Sequence, residues 1–317
     1  MNYAPPQKNE VRKYAENAIE TIKLILQKFG PREPGSTAET KTQEFLAEEL
    51  RKITSKVEIQ SFTVAPMGLF FFLPLTGIII FFSSAIIYKY PVLALLGTVT
   101  SLVITYLQFG RYKKVLDVLL PKKQSHNVIA TMTPSSGIIQ RRFIVCGHAD
   151  SAYEMRFNKW GTIYIKSALL LMFATVLLIL LFSILSATEY LSKVEITFIP
   201  FWLRKYTFVL GCIYGILAMG FIDFTKVVPG ANDNLSGTVT AVEVFRWFVA
   251  HPFELQNTEL ICLITGSEEA GLRGAYAYVE EKYEILKEIP TAFVAVDTLG
   301  DYDELGVVTR DMNGFIQ

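Results

Sequence analysis

His148 and Asp150 stand two residues apart in Gly147-His148-Ala149-Asp150, directly after a short apolar run at 142–146. Three other groups of polar residues have a comparable setting. Gly266-Ser267-Glu268-Glu269-Ala270-Gly271 follows the apolar run 258–265, and Asp297 follows 291–296. Gly230-Ala231-Asn232-Asp233-Asn234 precedes a helical pattern that begins at Leu235. Imidazole and carboxylate donors without thiolate suit zinc, and less specifically manganese or cobalt. In such a set Asp150 can orient the His148 imidazole from behind, and Asp233, with two oxygens, can bridge two metals. Of the adjacent Glu268 and Glu269, one can bind metal while its neighbour takes a proton from water that zinc has acidified to a pKa of about 7. Each piece alone has a plainer reading. His-x-Asp can be incidental, Glu268-Glu269 a charged helix start, Asp233 a helix cap and Asp297 a loop residue. Asn234-Leu235-Ser236 also matches a glycosylation sequon, a pattern that chance supplies readily. The common placement at strand and helix ends is what favours chemistry.

The elements that must position these residues read as α/β. Amphipathic helical patterns cover 9–29, stopped by Gly30-Pro31, and 37–52, with Ser36 or Thr37 as cap. Strand patterns fall at 56–64, 126–132 and 142–146, and later at 258–265, 291–296 and 305–309, with helices at 235–249 and 270–282. Strands alternating with helices imply a mostly parallel sheet flanked by helices. In such sheets ligands gather beyond the carboxyl ends of the strands, which is the rim that carries His148, Glu268, Glu269 and Asp297. No internal repeat or low-complexity tract is present.

The 317 residues carry 30 basic and 30 acidic side chains, so no basic surface for nucleic acid is advertised. Hydrophobic residues make up 51% and charged residues 19%, with a mean hydropathy of +0.34, which points to apolar segments set into soluble sequence. Cys146, Cys212 and Cys262 lie in apolar runs without a pairing pattern and read as buried thiols rather than a disulfide framework. The polar first ten residues do not have the form of a cleavable signal peptide.

Four stretches are apolar on all sides: 67–87, 90–110, 167–188 and 206–222. Crossing the hydrocarbon core takes about 20 residues, with roughly 17 as the lower limit, so the fourth is the weakest span. They pair into two transmembrane hairpins, 66–110 and 166–223, the first turning tightly at Lys89-Tyr90-Pro91 and the second through 189–205, which includes Phe198, Phe201 and Trp202. A hairpin returns the chain to the side it left. Residues 1–65, 111–165 and 224–317 can therefore join in one discontinuous domain. Basic residues near the span ends are concentrated on that domain's side (Arg111, Lys113, Lys114, Lys122, Lys123, Arg156, Lys159, Lys166, Lys226). This bias predicts a multi-pass integral membrane protein with its soluble domain in the cytoplasm.

The ordered set of motifs resembles the zinc aminopeptidase family that includes vacuolar aminopeptidase Y and secreted bacterial leucyl aminopeptidases. The matching words are Phe29-Gly30-Pro31-Arg32 with Gly35-Ser36, Gly147-His148-Ala149-Asp150-Ser151, Gly230-Ala231-Asn232-Asp233-Asn234 with Ser236-Gly237, Gly266-Ser267-Glu268-Glu269-Ala270-Gly271-Leu272 with Gly274, and Val296-Asp297. The resemblance implies a zinc exopeptidase fold acting on peptide substrates. It further implies that His148 and Asp297 hold one metal, Asp233 bridges both, Glu269 holds the second, and Glu268 is the general base.

Two departures from the family qualify those expectations. A membrane hairpin lies between His148 and Asp233. The family also closes its second metal site with a histidine well beyond the position of Asp297, whereas here only His126 and His251 accompany His148, at the wrong ends of their elements. The expectation is a domain short of its C-terminal part, with two zinc ions in the complete enzyme and one fully liganded here, so that these 317 residues by themselves can be inactive. Beside the membrane metalloaminopeptidase stand two alternatives: a non-catalytic membrane protein that retains the fold, and another zinc hydrolase or transferase chemistry such as N-terminal glutamine cyclisation.

Overall fold

The computed structural model describes residues 7–195, 205–300, 303 and 305–308, together with the backbone of 310–311 and 314–315. In chain order the elements are α1 (Lys8–Phe29), α2 (Thr37–Arg51), β1 (Val57–Val64), α3 (Phe72–Ile86), α4 (Pro91–Thr105), β2 (Lys123–Met132), β3 (Arg141–His148) and β4 (Tyr153–Met155). There follow α5 (Thr162–Ser192), α6 (Thr207–Gly220), β5 (Ile222–Val227), α7 (Gly237–Ala250), β6 (Thr258–Thr265), α8 (Arg273–Glu288), β7 (Thr291–Ala295) and the short pair β8 (Arg310–Asp311) and β9 (Gly314–Phe315). The chain divides into two compact units. One contains Met1–Pro66, Leu120–Ala152 and Val227–Val308; the other contains Met67–Leu119, Tyr153–Lys226 and Thr309–Gln317.

The first unit is a five-stranded sheet in the order β1-β2-β6-β3-β7 with helices on both faces. β6, β3 and β7 run parallel; β2 pairs antiparallel with β6, and β1 pairs antiparallel with β2, so β2 alone opposes the other four strands. Register is what brings the strand ends level. His148 pairs with Thr265, and Cys146 pairs with Ala295. The residues immediately beyond β6 and β7, Glu268, Glu269 and Asp297, therefore leave the sheet at the height of the imidazole.

Alternation along the strands splits the core in two. Val128, Ala130, Val145, Leu260, Cys262 and Ile264 turn to one face, where Ile25 of α1, Leu46 and Leu50 of α2, and Val239, Val242 and Phe245 of α7 cover them. Ile129, Ile144, Ile261 and Leu263 turn to the other, against Tyr278 of α8. Ser36 caps α2 by accepting the Glu39 amide at 3.2 Å.

The second unit is a bundle of α3, α4, α5 and α6 with the two-stranded ribbon β4-β5. α3 and α6 pack antiparallel, with Gly77 against Ala218 and Gly215, Ser84 against Gly211, and Tyr88 Oη 3.4 Å from Thr207 Oγ1. A Cβ on Gly211 would stand 1.9 Å from Ser84 Oγ, so the close crossing requires glycine there. Thr76 Oγ1 meets Tyr214 Oη at 3.3 Å inside this contact. α4 and α5 are also antiparallel: Ala94, early in α4, shares a cluster with Phe182, late in α5. The start of α3, the end of α4, the start of α5 and the end of α6 therefore lie at one end of the bundle.

Among the described residues two helices are long and apolar enough to cross a membrane, 91–110 with mean hydropathy 1.8 and Thr162–Ser192 with 3.0. α3 and α6, at 15 and 14 residues, are shorter apolar helices. Several elements depart from the sequence-based expectation. Residues 305–308 have no strand geometry, and 309 lies outside the described residues. β4 and β5 were not foreseen: β4 has three residues, and Ile222 of β5 continues the apolar run of α6 without a break. The helix expected from Ala270 begins at Arg273, because Gly271 and Leu272 have φ of 104° and 59°. Of the connection expected at 189–205, residues 189–192 continue α5, and residues 196–204, with Phe198, Phe201 and Trp202, lie outside the described residues. The three cysteines are free, with Cys262 buried and Cys146 and Cys212 half-buried.

Candidate metal centre

His148 ends β3 with its side chain buried. Its Nδ1 lies 3.3 Å from Asp150 Oδ1, and its Nε2 lies 3.2 Å from Asp233 Oδ1, 3.7 Å from Asp297 Oδ2 and 3.8 Å from Glu268 Oε2. One atom each from His148, Asp233 and Glu269 lie within 4.8 Å of one another. All six residues singled out from the sequence are thus gathered at one rim of the sheet.

Asp150 is fully buried and does more than face the imidazole. Its Oδ1 also accepts the Glu268 amide at 3.0 Å, and its Oδ2 accepts the Glu269 amide at 2.9 Å. One carboxylate therefore fixes the ring and the adjacent glutamates together.

Asp233 comes from the turn before α7, and its placement depends on residues far away in sequence. Arg32 is fully buried and donates from its guanidinium to the carbonyls of Ala149 (2.6 Å), Gly30, Pro229 and Gly230 (2.9 Å each). It laces the exit of β3 to the segment leading into Asp233. Ser151 strengthens the seam, accepting from Arg32 N at 3.0 Å and donating to the Val228 carbonyl at 2.9 Å. Gly230 has φ +64°, and a Cβ there would stand 2.4 Å from that of Ser151. Asn234 Nδ2 donates to the Val296 carbonyl at 2.9 Å, which ties the Asp233 turn to the residue before Asp297.

The turn bearing Glu268 and Glu269 rests on Glu39 of α2. This buried carboxylate accepts from Ser267 N (2.6 Å), Ser267 Oγ (3.1 Å), Ser125 Oγ (2.9 Å) and Gly35 N (2.7 Å). Ser267 has a positive φ of 52°, a conformation that outside contacts must hold. Asn127 Oδ1 adds a bond from Gly266 N at 3.1 Å. Arg32 and Glu39 had no role in the sequence reading. Arg32 sits inside a recognised motif, but Glu39 looks like an ordinary acidic residue of a first helical turn.

The cluster crowds carboxylates around a single imidazole. Burial, then the charge of Asp150 and the other acids, pushes Glu268 up to about 7 and Glu269 up to about 9. Burial opposes a charge on His148, yet hydrogen bonding to Asp150, Asp233 and Asp297 outweighs it and holds the imidazolium well above the ordinary range. Burial and the charge of Asp150 push Glu39 up to about 8. Excess negative charge in a shielded place is the condition that a bound cation relieves, and an all-N/O donor set fits zinc.

The other two histidines are engaged elsewhere. His126 Nδ1 meets Ser61 Oγ at 3.0 Å across the β1-β2 pair. His251 stacks on Trp247 with ring centroids 4.5 Å apart and has Nε2 3.5 Å from Glu10.

Comparison with known proteins adds a family match. Residues 215–313 match the description Peptidase family M28. The matched stretch contains Asp233, Glu268, Glu269 and Asp297; His148 and Asp150 precede it and join the same cluster in space. No curated protein sequence matches the chain. Among solved structures, an aminopeptidase from Aneurinibacillus sp. strain AM-1 aligns over 94% of this chain and 74% of its own length, at 15% identity and a TM-score of 0.49. A glutaminyl cyclase from Bacteroides thetaiotaomicron aligns over 91% and 63%, at 13% and 0.45. BSAP, a zinc aminopeptidase from Bacillus subtilis, aligns over 90% and 69%, at 15% and 0.44. This chain thus spans 63% to 74% of the length of these three structures.

Proposed function

We propose that the chain is a zinc metallopeptidase of the aminopeptidase type, carried in a membrane by its apolar helices. The single observation that carries this reading is the convergence of His148, Asp233 and Glu269 within 4.8 Å, with Glu268 beside them. His148, Asp233 and Asp297 would hold one zinc ion, and Asp233 with Glu269 would offer two ligands toward a second. Residues 1–65, 111–165 and 224–317 would form the peptidase domain. The spans at 66–110 and 166–223 would cross the bilayer as two hairpins, placing the soluble domain in the cytoplasm.

Zinc, when bound, supplies Lewis acidity toward the scissile carbonyl and the attacking water. Glu268 accepts the proton that water loses as it attacks the peptide carbonyl, then returns it to the amine nitrogen as the C–N bond breaks. A carboxyl set near neutrality by burial is suited to both halves of that transfer. Asp150 holds the His148 ring and the Glu268 backbone in a fixed relation during the step.

The test uses purified protein and an aminoacyl chromogenic substrate. Hydrolysis abolished by a chelator, restored by zinc, and lowered at least a hundredfold in Glu268→Gln with zinc content unchanged supports the proposal. Stoichiometric zinc with no hydrolysis above the Glu268→Gln background favours a non-catalytic role. Ring closure of N-terminal glutamine peptides in its place favours the transferase chemistry.

A further inference from the structure

We infer that the bundle end where the chain enters and leaves the helices is a collar for anionic phospholipid headgroups. This rests on the membrane reading given above and goes beyond it, naming the lipid class and the residues that select it. The lipid-facing sides of α4 and α5 expose Leu93, Leu96, Val103, Leu170 and Phe173, and the collar continues that apolar surface at its edge.

Its first part is the segment 111–119 after α4. Gln108, fully buried, fastens it: Nε2 donates to the Gly68 carbonyl at 2.7 Å and Asp117 Oδ1 at 3.1 Å, and Oε1 accepts from Leu116 N at 3.0 Å. Leu116 is buried beneath, while Val118 and Leu119 project at 80% and 67% exposure. Two aliphatic side chains held outward by a satisfied polar anchor are out of place against water. They suit the boundary between headgroups and acyl chains.

The second part precedes and opens α5. Phe157, Trp160 and Tyr164 form a ladder with ring centroids 5.9 and 6.1 Å apart, and Phe157 meets Phe221 at 5.6 Å. Trp160 is 63% exposed, and Ile163 projects beside it. Exposed Trp and Tyr at the mouth of an apolar helix are typical of a membrane interface.

Charge selects the headgroup. Segments 111–119, 153–166 and 222–226 hold seven cations, Arg111, Lys113, Lys114, Arg156, Lys159, Lys166 and Lys226, against three carboxylates. All three carboxylates are taken. Asp117 receives Gln108, Glu154 pairs with Lys159, and Asp223 accepts from Thr225 and faces Arg156 at 3.4 Å. Arg111, Lys113, Lys166 and Lys226 are exposed and form no ion pair among the described residues. An uncompensated ring of cations beside inserted Trp, Val and Leu attracts anionic over zwitterionic lipid.

The test places the full chain in vesicles of phosphatidylcholine with trace spin-labelled phosphatidylglycerol or phosphatidylcholine. The motionally restricted fraction gives the relative association of each. The native chain is expected to prefer phosphatidylglycerol several-fold, with the preference shrinking as salt rises. Combined Arg111→Gln, Lys113→Gln, Lys166→Gln and Lys226→Gln should bring the ratio near one. Lys193→Gln with Lys205→Gln, at the opposite end, should leave it unchanged. Circular dichroism confirms that each variant is folded, and Leu119→Asn, which keeps every charge, should weaken the preference less than the fourfold variant. Equal association of both lipids with the native chain overturns the proposal, as does a ratio that falls only with the Lys193 and Lys205 changes. Absence of any restricted lipid, with the protein soluble without detergent, overturns the membrane reading itself.

Discussion

Asp150 Oδ1 lies 3.3 Å from His148 Nδ1, which leaves Nε2 as the ring atom turned toward Asp233, Glu268 and Asp297. A carboxylate behind a ligating imidazole fixes its tautomer and raises its basicity. Asp150→Asn keeps the shape but replaces one acceptor with a donor, facing either the ring or the Glu269 amide. The expected result is a tenfold to hundredfold loss of zinc affinity, read by competition with a fluorescent chelator. Unchanged affinity would mean that the ring is held by its packing alone.

The Glu39–Ser267 contact carries the second prediction. Four donors converge on a carboxylate that has no side-chain cation bonded to it among the described residues. Glu39→Gln presents N–H groups to N–H donors, and buried donors left without an acceptor cost about 1–3 kcal/mol each. The variant should unfold at lower temperature and bind zinc about tenfold more weakly, because Glu269 follows Ser267 by two residues. Ser125→Ala removes only one of the four bonds and should cost about 1 kcal/mol with little effect on zinc. Equal zinc affinity in native and Glu39→Gln proteins would show that the Glu39 contacts support the fold without setting the site.

Particular residues show how far sequence could reach. The strand ends were legible because a run such as Thr258–Thr265 is apolar and β-branched and stops at Gly266. Register then follows from parallel pairing, and it delivers Glu268 and Asp297 to His148. Arg32 and Glu39 were illegible in role because each acts through contacts spanning more than a hundred residues, 117 for the Arg32–Ala149 bond and 228 for Glu39–Ser267. No local pattern encodes such partners. The antiparallel β2-β6 pairing was equally hidden, since apolar alternation does not distinguish strand directions. β5 was lost because Ile222 belongs to one apolar run with α6, where the period gives no boundary.

Arg32 gives a prediction about stability. Its guanidinium serves four carbonyls that are otherwise part of an irregular junction. Arg32→Lys retains charge but cannot reproduce the planar fork, and Arg32→Ala leaves the buried acceptors unpaired. Arg32→Ala should cost about 3 kcal/mol or more, since four backbone carbonyls lose their donor and each buried acceptor left unpaired costs about 1–3 kcal/mol. Arg32→Lys should recover only part of that. Thermal unfolding in detergent with zinc withheld measures both. A Lys variant as stable as the native chain would show that charge alone, and not the fork, closes the junction.

The pH dependence follows from groups whose folded values are all displaced upward. Glu268 rises to about 7 and Glu269 to about 9 from an ordinary 4.5, both first by burial, and His148 lies well above 6.5 because of its three aspartate partners. A group raised in the folded state contributes stability that is complete below its unfolded value and is lost as pH climbs through its folded value. For the two glutamates that window opens near pH 4.5 and closes near pH 9. His148 loses its contribution in the same direction, from pH 6.5 upward. Without zinc the melting temperature should therefore fall steadily between pH 5 and pH 9. Zinc competes with the same protons, so its affinity should rise over that interval. The gap between zinc-loaded and zinc-free melting temperatures should then widen toward alkaline pH. Scanning calorimetry at pH 5, 7 and 9 with and without zinc checks the sign. A zinc-free protein that gains stability as pH rises would mean that the acids are not crowded as described, because ionising buried neighbouring carboxylates without a cation can only cost the folded state.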